Sequence, residues 1–303
     1  LPNIGGFPCR SMARLQNSRS ASTVAKLLCV HAYFDTLLKN PFLLEGGHII
    51  IERNQLTGMS KTFPDIPLCP FVWSDGLIEA ADEGVSDHVD FANKFLGGGV
   101  LRDGSVQEEI LCSVRPEMLA ALAVNCVMDD NEAVVVVGTR LFAEHEGYGR
   151  SFTFTSPVVP PCGGDSTHVT HHSTDYTCAP NVIVAIDAVN VNKIRKTATK
   201  HRRAPPTHDL RRDVAKALAG FSSPVIGELG KTVVSTGNWG CGAYGGHPFN
   251  ACVSQWIAAT VAGGLTVSYS HFGNVDALAF KESKDFSKIE KSKISDATLY
   301  EHI

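Results

Sequence analysis

A chain of 303 residues is too long for a peptide hormone, a small disulfide scaffold or a single zinc module, and at roughly 150 residues per domain it makes one large or two small domains. With 44% apolar residues it can bury an ordinary core. Lys and Arg number 27 against 31 Asp and Glu, and the net charge of −4 argues against a protein coated with positive charge for non-specific nucleic-acid binding. Any polyanionic ligand has to be held by local geometry.

Nine cysteines (Cys9, Cys29, Cys69, Cys112, Cys126, Cys162, Cys178, Cys241, Cys252) are odd in number, scattered, and form no C-x-x-C pair. That is the pattern of reduced thiols in a nuclear or cytoplasmic protein, not of a disulfide framework or zinc site. The longest apolar stretch, Cys252 to Tyr269, is interrupted by Ser254, Gln255, Gly263 and Gly264, well short of the roughly 20 apolar residues that span a bilayer, so a soluble protein with no membrane partner is expected. The opening LPNIGG, without Met or signal-peptide layout, reads as part of a longer protein.

In chain order, residues 1–44 read as mostly helical, with Ser20 starting a helix that carries Val24, Leu27, Leu28 and Ala32 at helical spacing. From Ile49 to Trp73 short strands sit among Pro64, Pro67 and Pro70, which bar long helices. Strands are expected at 134–137, 182–186, 232–234 and 266–270, and helices at Gln107–Val114, Pro116–Val127, Leu210–Ala219 and Phe249–Ala262. This alternation predicts an α/β fold with a central sheet covered on both faces. Two segments break the rhythm: the polar loop Ser156–Pro180, and Lys193–Arg212, a basic patch with eight Lys or Arg in an acidic chain.

The chemistry concentrates in three places. His168, His171 and His172 have the spacing of metal ligands on a helix, but they fall in a loop with no acidic partner at zinc spacing, and a solvated His-rich loop is the stronger reading. In the stretch from Val89 to Ile110, the triplet Gly97, Gly98, Gly99 marks a tight turn or close ligand approach, and the pair Glu108–Glu109 stands at an expected helix start. Ser105-x-x-Glu108 matches a capping box, which accounts for one glutamate only; Glu109 is then a candidate general acid, since two adjacent carboxylates resist ionising together while the helix N-terminus favours the anions. In the third place, TGNWGCGAYGG (236–246), a strand, a glycine-rich turn and a helix offer backbone N–H groups to phosphate. That loop is neither a Walker A nor a dinucleotide fingerprint, and Cys241 within it reads as a small loop residue rather than a nucleophile.

Taken together, VDFAN (89–93), GGG (97–99), QEE (107–109), EGYGRSF (146–152), VIVAIDA (182–188), TGNWGCGAYGG (236–246) and SHFGN (270–274), in this order, resemble the animal-type poly(ADP-ribose) glycohydrolases. The resemblance runs from Leu1 to about Asp276, with a shortened helical accessory part. It implies a macrodomain-like mixed sheet flanked by helices, an accessory region over 1–72 and a catalytic domain over 73–303. By the same resemblance Glu109 is the catalytic acid and base, Glu108 grips hydroxyls of the scissile ribose, and Asp90 supports the glycine loop of Gly97, Gly98 and Gly99. Asn93 and Gln107 contact the ligand, Ile78 and Glu79 meet the adenine, Tyr148 stacks on it, and Phe272 positions the terminal ribose. Asn238, Gly240, Gly242, Ala243, Tyr244 (in place of the family's more usual Phe), Gly245 and Gly246 cradle the diphosphate.

The activity so implied is hydrolysis of ribose–ribose O-glycosidic bonds in poly(ADP-ribose), with no cofactor and no metal. The expected partners are the polymer and ADP-ribosylated proteins, with a place in the response to DNA damage. Sequence-specific nucleic-acid binding is not expected, and the protein is expected to be a monomer. Two alternatives stay open: a macrodomain reader that binds ADP-ribose without cleaving it, and a hydrolase of mono-ADP-ribosylated protein or nucleic acid. The adjacent acids of QEE favour an enzyme over a reader.

Overall fold

The computed structural model of the chain describes residues 20–44, 48–58, 64–80, 86–124, 127–160, 169–171, 174–176, 180–200 and 210–294. The strands among them are β1 (Ile50–Gln55), β2 (Phe71–Ser74), β3 (Ser86–Ala92), β4 (Glu132–Val137), β5 (Ala143–Glu146), β6 (Thr153–Pro157), β7 (Val169–His171), β8 (Thr174–Tyr176), β9 (Val182–Asp187), β10 (Val233–Gly237) and β11 (Thr266–Ser270). The helices are α1 (Ala21–Lys39), α2 (Gln107–Val114), α3 (Leu119–Val124), α4 (Val191–Lys200), α5 (Leu210–Phe221), α6 (Pro224–Glu228), α7 (Pro248–Ala262), α8 (Val275–Lys281) and α9 (Lys284–Glu290). The chain divides into two compact units, one drawn from Leu1–Ile51, Ala92–Val127 and Val136–Asn181, the other from Glu52–Phe91, Met128–Val135 and Val182–Ile303.

In the first unit α1 starts where the sequence predicts, at Ser20, whose Oγ accepts the N–H of Thr23 at 3.2 Å. Of the expected apolar series, Ala32 is buried and Leu27 half-buried. Val24 and Leu28 are exposed, and Ala25, Lys26, Cys29, Ala32 and Thr36 turn inward at helical spacing. Ala25 and Cys29 pack with Ile110 and Val114 of α2 and with Ala143 and Phe152, which seats the start of α2 firmly. Of the helix expected over 116–127, Pro116–Met118 form a 3₁₀ turn and Leu119–Val124 form α3. β5 and β6 form an antiparallel hairpin, as do β7 and β8 within the region expected to be loop.

The second unit is built on a seven-stranded sheet in the order β1-β4-β9-β3-β10-β11-β2. Every residue of β4 and β9 is buried, as strands covered on both faces require. β3, β10, β11 and β2 run parallel, with Gly237 opposite Ser270 and Ser270 opposite Ser74. Three loops therefore leave one edge of the sheet side by side: the one after β2, the glycine-rich one after β10 and the one after β11. On one flank α5 packs against α7 and against β9, and Gly220 permits the approach, since a Cβ there would enter the side chain of Val184.

One residue of the expected basic patch is not at the surface. Arg212, with its side chain 11% exposed, donates Nη2 to Asp187 Oδ2 at 2.8 Å, Nη1 to the Asp187 carbonyl at 2.6 Å and Nε to Asp130 Oδ1 at 3.1 Å. Lys216 reaches Asp187 Oδ1 at 2.5 Å and the Asp129 carbonyl at 2.6 Å, and burial pushes its ammonium below the ordinary lysine range while Asp187 opposes the shift. Sequence counts charges and not partners, so Arg212 reads as surface charge until its acids are seen. Arg212→Gln is expected to destabilise the fold by about 3 kcal/mol, the cost of breaking a buried ion pair. Chemical denaturation measures it, and a loss under about 0.5 kcal/mol would return Arg212 to the surface.

Candidate active site

In the first unit the chain from Asn93 to Gly104 wraps over the start of α2, and Glu108 and Glu109, 3% and 7% exposed, fill its inside. The N–H groups of Asn93 and Gly97 donate to Glu108 Oε2 and Oε1 at 2.9 and 2.5 Å. Those of Gly99 and Val106 donate to Glu109 Oε1 and Oε2 at 2.8 and 2.9 Å. Each carboxylate is thus held at both oxygens by backbone, which leaves neither side chain free to swing. Gly98 has φ of +48°, and a Cβ placed there would stand 2.6 Å from both Glu108 Oε2 and Glu109 Oε1. The two oxygens lie against one point of the main chain, and only glycine fits there.

The capping box expected from Ser105 and Glu108 is displaced by one residue. Val106 is the N-cap, extended at φ −97° and ψ −167°, and the glutamate that reaches back to its N–H is Glu109. A valine offers no side-chain acceptor, so only half of the box exists; Ser105 Oγ instead donates to the Gly149 carbonyl at 2.9 Å. Glu108, freed from capping, is given over to the glycine loop.

Sequence reasoning missed Lys26. It is 1% exposed on α1, and its Nζ donates to the carbonyls of Val100 at 3.0 Å, Gly104 at 2.7 Å and Arg102. Burial lowers its pKa, while the negative charges of Glu109 and Asp103 oppose that shift. One ammonium thereby ties together the three carbonyls that turn the chain from the glycine triplet back to α2. The signal available was a lysine on the inward stripe of α1, legible only once that stripe is known. The N–H of Gln107, the first residue of α2, donates to the hydroxyl of Tyr148 at 3.1 Å, and Tyr148 is itself partly exposed, so both lie at the mouth of this loop.

In the second unit the loop from Asn238 to Gly246 follows β10 and leads to α7. It is folded by its own hydrogen bonds: Cys241 N–H to the Asn238 carbonyl, Gly245 N–H to Gly242 and Gly246 N–H to Gly240, at 3.1, 3.2 and 3.0 Å. Among the described residues, the N–H groups of Gly240, Gly242 and Ala243 donate to no protein acceptor. Amides without a protein acceptor in a loop ahead of a helix are the donors that anion binding uses. Trp239 Nε1 donates to the Ile186 carbonyl at 3.0 Å and anchors its base.

Beside it, Asn238 Nδ2 donates to the His271 carbonyl at 2.8 Å, and Asn238 Oδ1 accepts the Tyr269 hydroxyl at 3.2 Å. Phe272 follows, 53% exposed, with φ of +47°, the one positive φ of a non-glycine residue among those described. That conformation costs roughly 1–2 kcal/mol for an L-residue. The turn is held from both sides: Gly273 N–H donates to His271 Nδ1 at 3.1 Å, His271 Nε2 meets Asp75 Oδ1 at 2.5 Å, and Asn274 caps α8. An exposed ring held in a strained backbone makes Phe272 a candidate for ligand contact.

Ile78 is buried in a 3₁₀ turn with Glu79 beside it, and the Ile78 carbonyl accepts Ser235 Oγ of β10 at 3.0 Å. Asp90 is wholly buried in β3. The structure therefore brings Asn93, Gly97, Gly98, Gly99, Gln107, Glu108, Glu109 and Tyr148 together in the first unit, while Ile78, Glu79, Asp90, the 238–246 loop and Phe272 belong to the second. His168 and His172 lie outside the described residues, and of His171 only the backbone in β7 is described.

Cys241 Sγ lies 3.5 Å from the Trp239 carbonyl, and burial, with the charges of Asp213 and Asp276, pushes its thiol up to about 12. A thiol is then the species present at neutral pH, and it is a poor nucleophile. Cys241→Ser is expected to keep turnover within about threefold of the parent, since the small volume is preserved. A loss beyond about a hundredfold would give Cys241 a chemical role.

Comparison with known proteins identifies the family to which the chain belongs. Residues 61–279 match the family described as poly(ADP-ribose) glycohydrolase (PARG), macro domain fold. Poly(ADP-ribose) glycohydrolase 1 of Arabidopsis thaliana is 30% identical over 325 residues, covering 88% of this chain and 57% of that protein. Poly(ADP-ribose) glycohydrolase 1 of Caenorhabditis elegans is 32% identical over 302 residues, covering 95% of this chain and 36% of that protein. Among solved structures, the poly(ADP-ribose) glycohydrolase of Thermomonospora curvata aligns with a TM-score of 0.47 at 14% identity, over 85% of this chain and 98% of that one. The chain spans about half the length, or less, of the curated relatives it matches. With more than two thirds of its residues inside the family match, this chain belongs to the poly(ADP-ribose) glycohydrolase family and has the family's macro domain fold.

Proposed function

We propose that the chain hydrolyses the ribose–ribose O-glycosidic bond of poly(ADP-ribose), with Glu109 as general acid and then general base. The observation that carries this reading is the pair of buried, adjacent carboxylates, each held at both oxygens by backbone N–H groups around Gly98. A protonated Glu109 gives its proton to the departing ribose oxygen as the C–O bond breaks. The oxocarbenium-like centre left behind is then attacked by water, whose proton returns to the Glu109 carboxylate. In glycosidases that use two carboxylates as acid and partner, the groups flank the bond from opposite faces. Here both lie against a single glycine, so they face a ligand from one side, and Glu108 is suited to gripping ribose hydroxyls rather than to attack.

The 238–246 loop supports diphosphate binding through main-chain amides, which needs no lysine-rich pocket and suits a chain of net charge −4. Asp90, Asn93, Gln107, Tyr148, Ile78, Glu79 and Phe272 keep the roles that the family resemblance implies. The division into an accessory region over 1–72 and a catalytic domain over 73–303 belongs to the same reading. So do ADP-ribosylated proteins as partners, nuclear or cytoplasmic placement and work in the response to DNA damage. No helix among the described residues is long and apolar enough to cross a membrane.

The test is incubation with end-labelled poly(ADP-ribose) and chromatographic identification of the products. Free ADP-ribose is expected. Intact polymer that is nevertheless bound would favour a reader, and phosphoribosyl-AMP would assign cleavage to the phosphoanhydride bond of the diphosphate.

A further inference from the structure

The 238–246 loop is gripped from outside by the start of α4. The N–H of Asn192 donates to the Tyr244 carbonyl at 3.0 Å and its Nδ2 to the Ala243 carbonyl at 3.2 Å. Gly245, at φ +70°, is packed so closely on this side chain that a Cβ would stand 2.7 Å from Asn192 Cγ. In a trans peptide the C=O and the following N–H point oppositely, so drawing these carbonyls toward Asn192 turns the Tyr244 N–H the other way. The helix that begins at this clamp carries Lys193, Arg195 and Lys196, all exposed, and no acidic residue from Val191 to Lys200. At 1.5 Å rise per residue, Lys196 lies about 6 Å along the axis beyond Asn192. A cationic strip fixed to an anion-binding loop, in a chain whose net charge is negative, is more than a solvated face.

We propose that the basic face of α4, formed by Lys193, Arg195 and Lys196, is a second phosphate-binding subsite, which takes the diphosphate of a neighbouring unit when a polymer occupies the 238–246 loop. The proposal rests on the reading of that loop as the diphosphate cradle. It makes a physical distinction: monomeric ADP-ribose, confined to the loop, does not use the strip, whereas a polymer does and releases counterions from its phosphates on binding. Arg212 has no part, because its guanidinium is already taken by Asp187 and Asp130.

The test replaces Lys193, Arg195 and Lys196 together by Gln and measures affinity against salt concentration for ADP-ribose and for a polymer of ten or more units. At about 0.7 per phosphate contact on a single strand, the log–log salt slope for polymer is expected to fall by about 2 in the variant, with monomer affinity within twofold of the parent. Arginine in place of Lys193 and Lys196 is expected to retain the steep slope. Equal polymer slopes for parent and Gln variant would overturn the proposal, as would an equal loss of single-stranded RNA binding in the variant, which would make the strip a general polyanion surface. Failure of the parent to bind ADP-ribose would instead bring down the underlying reading of the loop, and that outcome is read in a separate arm.

Discussion

Glu109→Gln is expected to lower turnover of poly(ADP-ribose) by 10²–10⁴-fold, the usual contribution of a positioned acid or base, while ADP-ribose affinity stays within about tenfold. Gln keeps the volume and one acceptor oxygen but has no proton to give to a leaving ribose. Its amide group must also face one of the two N–H donors, from Gly99 or Val106, that the carboxylate now satisfies. That mismatch costs about 1 kcal/mol of stability, too little to unfold the chain, so a thermal midpoint taken beside the rates separates chemistry from folding. Steady-state rates with more than a few per cent of parental turnover would place the acid elsewhere. Glu108→Gln disturbs Asn93 and Gly97 instead, and there the loss is expected in substrate positioning as much as in rate.

Gly98→Ala is the second large effect. An alanine there is forced into a left-handed backbone at a cost of roughly 1–2 kcal/mol, and its methyl would press on Glu108 Oε2 and Glu109 Oε1 at 2.6 Å, inside any normal contact. The carboxylates have to move by several tenths of an ångström, or the loop has to open. Since misplacing catalytic groups by about 1 Å costs on the order of 10²-fold, turnover is expected to fall by at least that much. Gly149→Ala is the comparison: it too has positive φ, +62°, but nothing lies within 4 Å of its Cβ, so backbone strain is present without the clash. If both variants lose activity equally, strain and not the glutamate contact explains the triplet.

What could be read from the sequence depended on whether the governing interaction was local. The start of α1 at Ser20 and the span of α2 follow from capping and periodicity, and both stand where expected. The strand expected at 232–234 sits at Val233–Gly237, because the β pattern runs on through Ser235 and Thr236, which are polar but buried. Ser105 was a reasonable cap by pattern, yet S-x-x-E and V-x-x-E overlap by one residue here, and backbone geometry decides between them. Lys26 and Arg212 could not be read as buried, since the carbonyls that hold Lys26 lie 74 or more residues away, and Asp187 and Asp130, which hold Arg212, lie 25 and 82 residues away. Phe272 could be singled out by its motif, but its positive φ is set by His271, Asp75 and Asn238 acting across the sheet edge.

The proposed reaction breaks the bond between an anomeric carbon and oxygen, with water as the nucleophile. Hydrolysis of poly(ADP-ribose) in ¹⁸O-water, quenched within a few turnovers and read by mass spectrometry, tests it most directly. One ¹⁸O on the terminal ribose of released ADP-ribose, and none on its phosphates, is the predicted result. Label on a phosphate, or ADP-ribose bound and never released from polymer, would contradict it.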